Sequence, residues 1–115
     1  MKPNNICVGK YSSTESDEPD YSLKLIDFGL ARPFIKPERM QNWTENDHIE
    51  QSKQGKYGNV VFASPDSMLD LKLSRRADLY SLLYMLIYIK TGKYLYYHKD
   101  LSFDENMQNI KFGKT

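Results

Sequence analysis

The chain has 115 residues, 40% of them hydrophobic and 27% charged, enough for one modest core and too few for two lobes. These proportions exclude wholesale disorder, a coiled-coil rod and a collagenous repeat. A formal charge of +1 excludes the strongly basic balance of a dedicated nucleic-acid binder, so no nucleic-acid partner is expected.

Cys7 is the lone cysteine, so no intrachain disulfide and no cysteine-based zinc cluster can form. Met1 to Asn5 lacks the apolar core of a signal peptide, and no apolar run approaches the roughly 18 residues of a membrane span. The expected setting is cytosol or nucleus, with no membrane association.

In chain order, Ile6-Cys7-Val8 is a short apolar run ending at Gly9, and Tyr21 to Ile26 alternates apolar and polar residues until its last pair. Both predict short strands. Between them, Lys10 to Asp20 collects Ser, Thr, Asp, Glu and Pro19, a composition that loops into solvent. Pro33 to Tyr57 has no sustained period and predicts a long irregular loop, which in a small domain is a functional clue.

Ser64-Pro65-Asp66 supplies a capping hydroxyl, a proline suited to the first helical position and an acid near the positive helix end, so a short helix starts there. Ser74 opens a second helix through Leu79, Leu82, Leu83, Leu86 and Ile87 to a stop at Gly92. Tyr80, Tyr84 and Tyr88 make it apolar around most of its circumference, which predicts a central core helix covered by the rest of the chain. Lys93 to His98 is aromatic and aperiodic. Ser102 to Phe112 predicts a weak helix through Phe103, Met107, Ile110 and Lys111.

Asp27-Phe28-Gly29 follows a predicted strand and precedes the long loop. A specified tripeptide arises by chance in a chain of this length in roughly one or two per cent of cases, so it gains meaning only from its neighbours. Upstream, Lys2-Pro3-Asn4-Asn5 resembles the end of the protein-kinase catalytic loop, where an Asp base precedes x-Lys-Pro-x-Asn. Downstream, Gly58 to Ser64 and Ser74-Arg75-Arg76-Ala77-Asp78-Leu79-Tyr80-Ser81-Leu82 resemble Gly-Thr-Ala-Arg-Tyr-Ala-Ser and Ser-Arg-Arg-x-Asp-Leu-x-Ser-Leu of the casein kinase 1 family. Vaccinia-related-like kinases share the Ser-Arg-Arg-x-Asp element but more often replace the Phe of Asp-Phe-Gly.

The resemblance, which covers Lys2 to about Gly92, implies a protein kinase-like (α+β) fold, specifically a partial C-lobe that is mainly helical. Residues 1–5 would end the catalytic loop, and 6–29 would hold two short strands and Asp-Phe-Gly. Residues 30–66 would form the activation segment and substrate-docking loop, and 74–92 the central helix, with 93–115 poorly matched. The implied activity is serine/threonine phosphorylation of protein substrates with ATP and Mg2+. Transfer spreads negative charge over phosphoryl oxygens, so hard oxygen ligands must hold the magnesium. Asn5 and Asp27 match those ligands and the cofactor site.

Lys2 matches the lysine aimed at the transferring phosphate, against the alternative of a solvated terminal lysine. Phe28 and Gly29 match the structural remainder of their motif. Asp78 matches a buried aspartate that anchors the catalytic loop; an acid complementing the helix dipole predicts the same residue type. Arg75 and Arg76 are expected to be solvated or structural.

Several departures limit the resemblance. Asn59 and Val61 stand where the family has Thr and Arg, which removes a hydroxyl and an anion-binding guanidinium. Asp66 replaces the Glu of Ala-Pro-Glu, and no Arg follows Arg76 to pair with it from later in the lobe. Tyr94-Leu95-Tyr96 replaces Leu-Pro-Trp.

Counting back from Lys2, the general base would precede Met1, so the chain alone is expected to be inactive. A start at an internal Met of a longer kinase explains the unblurred motifs better than long decay. The competing reading is a pseudokinase-type interaction or scaffold fragment without catalysis.

Overall fold

The computed structural model describes residues 1–9, 21–42, 44 and 59–115. The expected loop at 10–20 and most of the second half of the expected 33–57 loop lie outside the described residues. The described part is mostly helical with one two-stranded antiparallel sheet.

β1 (Ile6–Gly9) and β2 (Ser22–Leu25) fall inside the two predicted runs and pair with Ile6 opposite Leu25 and Gly9 opposite Ser22. The alternation of β2 buries neither face, because Leu23 and Leu25 on one side and Lys24 on the other are exposed. Ile6 is where the hairpin packs against the main cluster. A 3-10 turn, Pro3–Asn5, leads into β1, and a second, Pro37–Arg39, interrupts the predicted irregular loop.

α1 (Pro65–Met68) starts at Ser64, whose hydroxyl accepts from the Ser67 N–H at 3.2 Å. α2 (Arg75–Thr91) ends at Gly92, whose φ of 69° is the left-handed conformation that glycine adopts without steric cost. Both boundaries are those the local sequence predicts. The weak helix predicted for Ser102 to Phe112 is instead a firmly capped α3 (Phe103–Lys114). The Ser102 hydroxyl accepts from the Glu105 N–H, and the Glu105 carboxylate accepts from the Ser102 N–H at 2.9 Å. The Ser102 hydroxyl also donates to the Glu105 carboxylate at 2.7 Å, and this bond, followed by that from the Ser102 N–H, holds the Glu105 carboxyl below its usual range.

The core is small: Phe62, Tyr84 and Met85, flanked by Ile6, Val61, Ile87, Tyr88 and Leu95. Phe62 meets Tyr88 and Tyr94 edge-on at 6.1 and 5.8 Å, while those two tyrosines stack at 4.5 Å. α3 turns Asn106, Ile110 and Lys114 inward at four-residue spacing, leaving Phe103 and Phe112 exposed. Of the stripe anticipated through Phe103, Met107, Ile110 and Lys111, Ile110 is buried and Met107 half-buried, while Phe103 and Lys111 are exposed. Asn106 accepts from the His98 N–H and donates to the carbonyls of His98, Leu101 and Ser102, tying the 98–102 loop to α3.

The enclosed central helix expected for α2 is not formed among the described residues. Met85 is 1% exposed, but Leu79 is 67% and Ile89 72% exposed, because the 59–63 turn, α1, α3 and residues 94–95 gather on one side only.

Met85→Ala should lower the unfolding free energy in urea by about 2–5 kcal/mol through lost contacts and a residual cavity. Leu79→Ala should change it by no more than about 0.5 kcal/mol. The opposite ranking would mean that the buried face of α2 is misassigned.

Candidate functional site

Two groups of residues carry the motifs. The first is the open end of the hairpin. Because Ile6 pairs with Leu25, the preceding Asn5 lies across from Ile26, and its carbonyl accepts from the Ile26 N–H at 2.8 Å. Asp27 follows immediately, so Asn5 and Asp27 share one end of the sheet. The 3-10 turn brings Lys2 into the same stretch, its carbonyl accepting from the Asn5 N–H at 3.1 Å. Asp27 has a φ of 62°, a left-handed conformation open to Asp through local hydrogen bonding. Its Oδ1 accepts from the Gly29 N–H at 3.3 Å. The chain then turns, with the Ala31 N–H donating to the Phe28 carbonyl at 3.0 Å.

Asp27 is exposed, and its other carboxylate oxygen takes no hydrogen bond from the described residues. Among the described residues no three acidic, histidine or cysteine side chains cluster to hold a metal by themselves. One carboxylate and one amide oxygen fit a magnesium ion whose remaining ligands are phosphates and water.

The second group is the turn at Asn59 to Ala63 with α1 behind it. The Phe62 N–H donates to the Asn59 carbonyl and the Ala63 N–H to the Val60 carbonyl, at 3.1 and 3.2 Å, while Asn59 Oδ1 accepts from the Val61 N–H at 3.0 Å. Behind the turn, Asp66 is nearly buried and accepts from Arg76 Nε at 2.7 Å. This bond raises the Arg76 pKa further. Asp66 thus finds its arginine ten residues on, at the start of α2, and no later arginine is needed. Arg75 lies over the Phe34 ring at 4.4 Å. Arg75 and Arg76, expected to be solvated or structural, make these contacts while remaining exposed.

The other predicted residues are placed less as the resemblance implies. Phe28 is 63% exposed and Gly29 is exposed, so neither helps to build a core among the described residues. Asp78 is a correction: it is exposed in the first turn of α2, with no hydrogen bond to the described residues, and is not the buried anchor expected. What the geometry leaves it is the complement to the positive end of the helix. The side chain of Lys2 makes no hydrogen bond or ion pair to the described residues.

Lys114 was not anticipated. Its Nζ donates to the carbonyls of Val60, Val61 and Ala63 at 3.0, 2.8 and 2.7 Å and lies 4.1 Å from the centre of the Tyr84 ring. Nothing local signals this, because its partners lie more than fifty residues earlier in the chain. A cleft of about 200 Å3 opens beside this turn, walled by Val60, Val61, Tyr97, Phe103, Met107 and Ile110.

No protein-family model matches the chain. It is 32% identical over 95 residues to a probable serine/threonine-protein kinase of Dictyostelium discoideum, covering 81% of this chain and 17% of that protein. It is 26% identical over 98 residues to the serine/threonine-protein kinase PknF of Mycobacterium tuberculosis and to that of Mycobacterium bovis, covering 85% of this chain and 17% of each. The chain thus spans about a sixth of the length of these curated relatives. The similarities support a kinase-derived stretch across most of the chain.

Burial lowers the Lys114 pKa from 10.5 to about 8. Between these values the unfolded chain holds the proton that the folded chain has lost. This group's contribution to stability therefore grows as pH rises from about 8 toward 10.5 and is lost as pH falls through about 8. Urea unfolding at about pH 7 and about pH 9.5 should show the wild type gaining on the order of 1 to 2 kcal/mol relative to Lys114→Met. An equal response in both proteins would mean that this ammonium is not buried.

Proposed function

We propose that the chain is part of a casein kinase 1-like serine/threonine protein kinase domain. In this reading residues 1–5 end the catalytic loop, 6–29 carry two strands and Asp-Phe-Gly, 30–66 form the activation segment and docking loop, and 74–92 form the main helix of the C-lobe. The parent domain phosphorylates serine or threonine in protein substrates. MgATP, when bound, supplies the phosphoryl group. Asn5 and Asp27 present the amide and carboxylate oxygens that hold its metal, and Lys2 offsets negative charge near the phosphate.

The observation that carries this reading is the hairpin register, which sets Asn5 opposite Ile26 and so beside Asp27. Two separated motifs, Lys-Pro-x-Asn and Asp-Phe-Gly, are brought to one end of one sheet in a chain similar to serine/threonine kinases. The match of Ser74 to Leu82 supports the casein kinase 1 branch.

The 115 residues contain no match to the family's general base or glycine-rich loop, and we propose on that ground that they transfer no phosphate by themselves. A second reading, a non-catalytic interaction module, is favoured by the exposed apolar residues Leu79, Leu83, Leu86 and Ile89 on α2.

Titration of the chain with manganese and ATP should broaden the amide signals of Asn5 and Asp27 before others, and Asp27→Ala should abolish the effect. Broadening confined to other acids, such as Asp104 and Glu105, would sink the assignment. Purified chain with ATP and magnesium should transfer no phosphate to a protein substrate; measurable transfer would show that catalysis draws on more than Lys2, Asn5 and Asp27.

A further inference from the structure

We propose that Lys114 is a positioning residue for the docking turn, its ammonium gathering the carbonyls of Val60, Val61 and Ala63 into one fixed conformation. An ammonium has three donors, and three carbonyls lie within 3.0 Å of this one. Their negative ends converge on one point, where the three donors of the ammonium, the form held below about pH 8, meet all three at once. The turn's own backbone bonds use the carbonyls of Asn59 and Val60 and leave those of Val61 and Ala63 to Lys114. The Tyr84 ring closes the site from the α2 side at 4.1 Å.

Two placements make this more than a general tie. Lys114 sits in the last turn of α3, where the helix dipole favours a cation, and the capping box fixes the other end of the helix. Val60 and Val61, which present carbonyls to the ammonium, also form one wall of the cleft whose other wall includes Phe103, Met107 and Ile110 of α3. One side chain therefore sets the spacing between the turn and α3. That the turn docks substrate rests on the proposed kinase reading; its dependence on Lys114 rests on the geometry alone.

The first test uses the wild-type chain. With labelled lysine, the Lys114 Nζ signal should show hydrogen-bond couplings to the carbonyl carbons of Val60, Val61 and Ala63; a freely averaging signal like that of a surface lysine would overturn the proposal. The second test is amide exchange. Lys114→Met should speed exchange at Phe62 and Ala63 by at least about tenfold while Met85 stays within about twofold, and Lys114→Arg should largely restore slow exchange. Unchanged exchange at Phe62 and Ala63, or equal acceleration at Met85 in both variants, would also overturn it. If Lys114→Met fails to fold, the wild-type couplings decide the matter. Neither measurement uses ATP, metal or substrate, so a failure of the Lys114 couplings leaves the manganese result standing, and a failure of manganese binding leaves the couplings standing.

Discussion

Burial of Phe62 is the constraint on which the described structure depends. Its ring occupies the point where the 59–63 turn, α2 and the segment after Gly92 meet, and it touches both Tyr88 and Tyr94. Phe62, Tyr84 and Met85 are the chief buried apolar side chains of the cluster, each worth about 1.5–3 kcal/mol of transfer free energy. With so few, every attachment matters. The hairpin joins through Ile6, α2 through Tyr84 and Met85, and the aromatic segment through Tyr94 and Leu95. Moving Phe62 would release all three.

Polar groups complete what this small core cannot. Asn106 and Lys114, both buried on α3, spend their hydrogen-bonding capacity on backbone carbonyls and, for Asn106, one N–H. A buried amide or ammonium without such partners would cost several kcal/mol, roughly the worth of a core side chain. Here they join loops to a helix that has only Ile110 as a fully buried apolar residue. The small residue Gly113 belongs to the same arrangement, since a Cβ there would run into the Tyr96 ring. Specificity in this part of the molecule comes from directed bonds more than from apolar area.

The candidate site stands at the rim of this arrangement. Asn5 is held by its hydrogen bond to Ile26 at the end of the hairpin, Asp27 follows Ile26 and is held by its local bond to Gly29, and the link to the core is the neighbouring Ile6. Asp27 and Phe28 face solvent. The turn at 59–63 is better supported, with Phe62 in the core, Lys114 behind its carbonyls and the Asp66–Arg76 pair below. The part that would recognise a substrate is therefore more rigidly built than the part that would hold a metal. Rigid support of this kind favours a defined docking geometry.

Much of the site is legible in the amino-acid order, because its motifs are local. Lys-Pro-x-Asn, Asp-Phe-Gly and the Ser-Pro-Asp helix start are each set within a few residues. So are the strands at Ile6 and Ser22 and the glycine stop of α2, since capping and turn chemistry act over one helical turn or one peptide unit. The Ser102–Glu105 capping box is equally local, though the apolar pattern around it suggests only a weak helix. Burial cannot be read the same way. An all-round apolar α2 predicts enclosure, and Asp78 matches a buried anchor, yet burial depends on which other elements arrive at each face. The pairing of Asp66 with Arg76 and the capture of the 59–63 carbonyls by Lys114 depend on helix packing, which no local pattern encodes. The sequence by itself determined the motifs and element boundaries; the tertiary structure alone decided which charges are buried and what satisfies them, because those contacts join residues far apart in the chain.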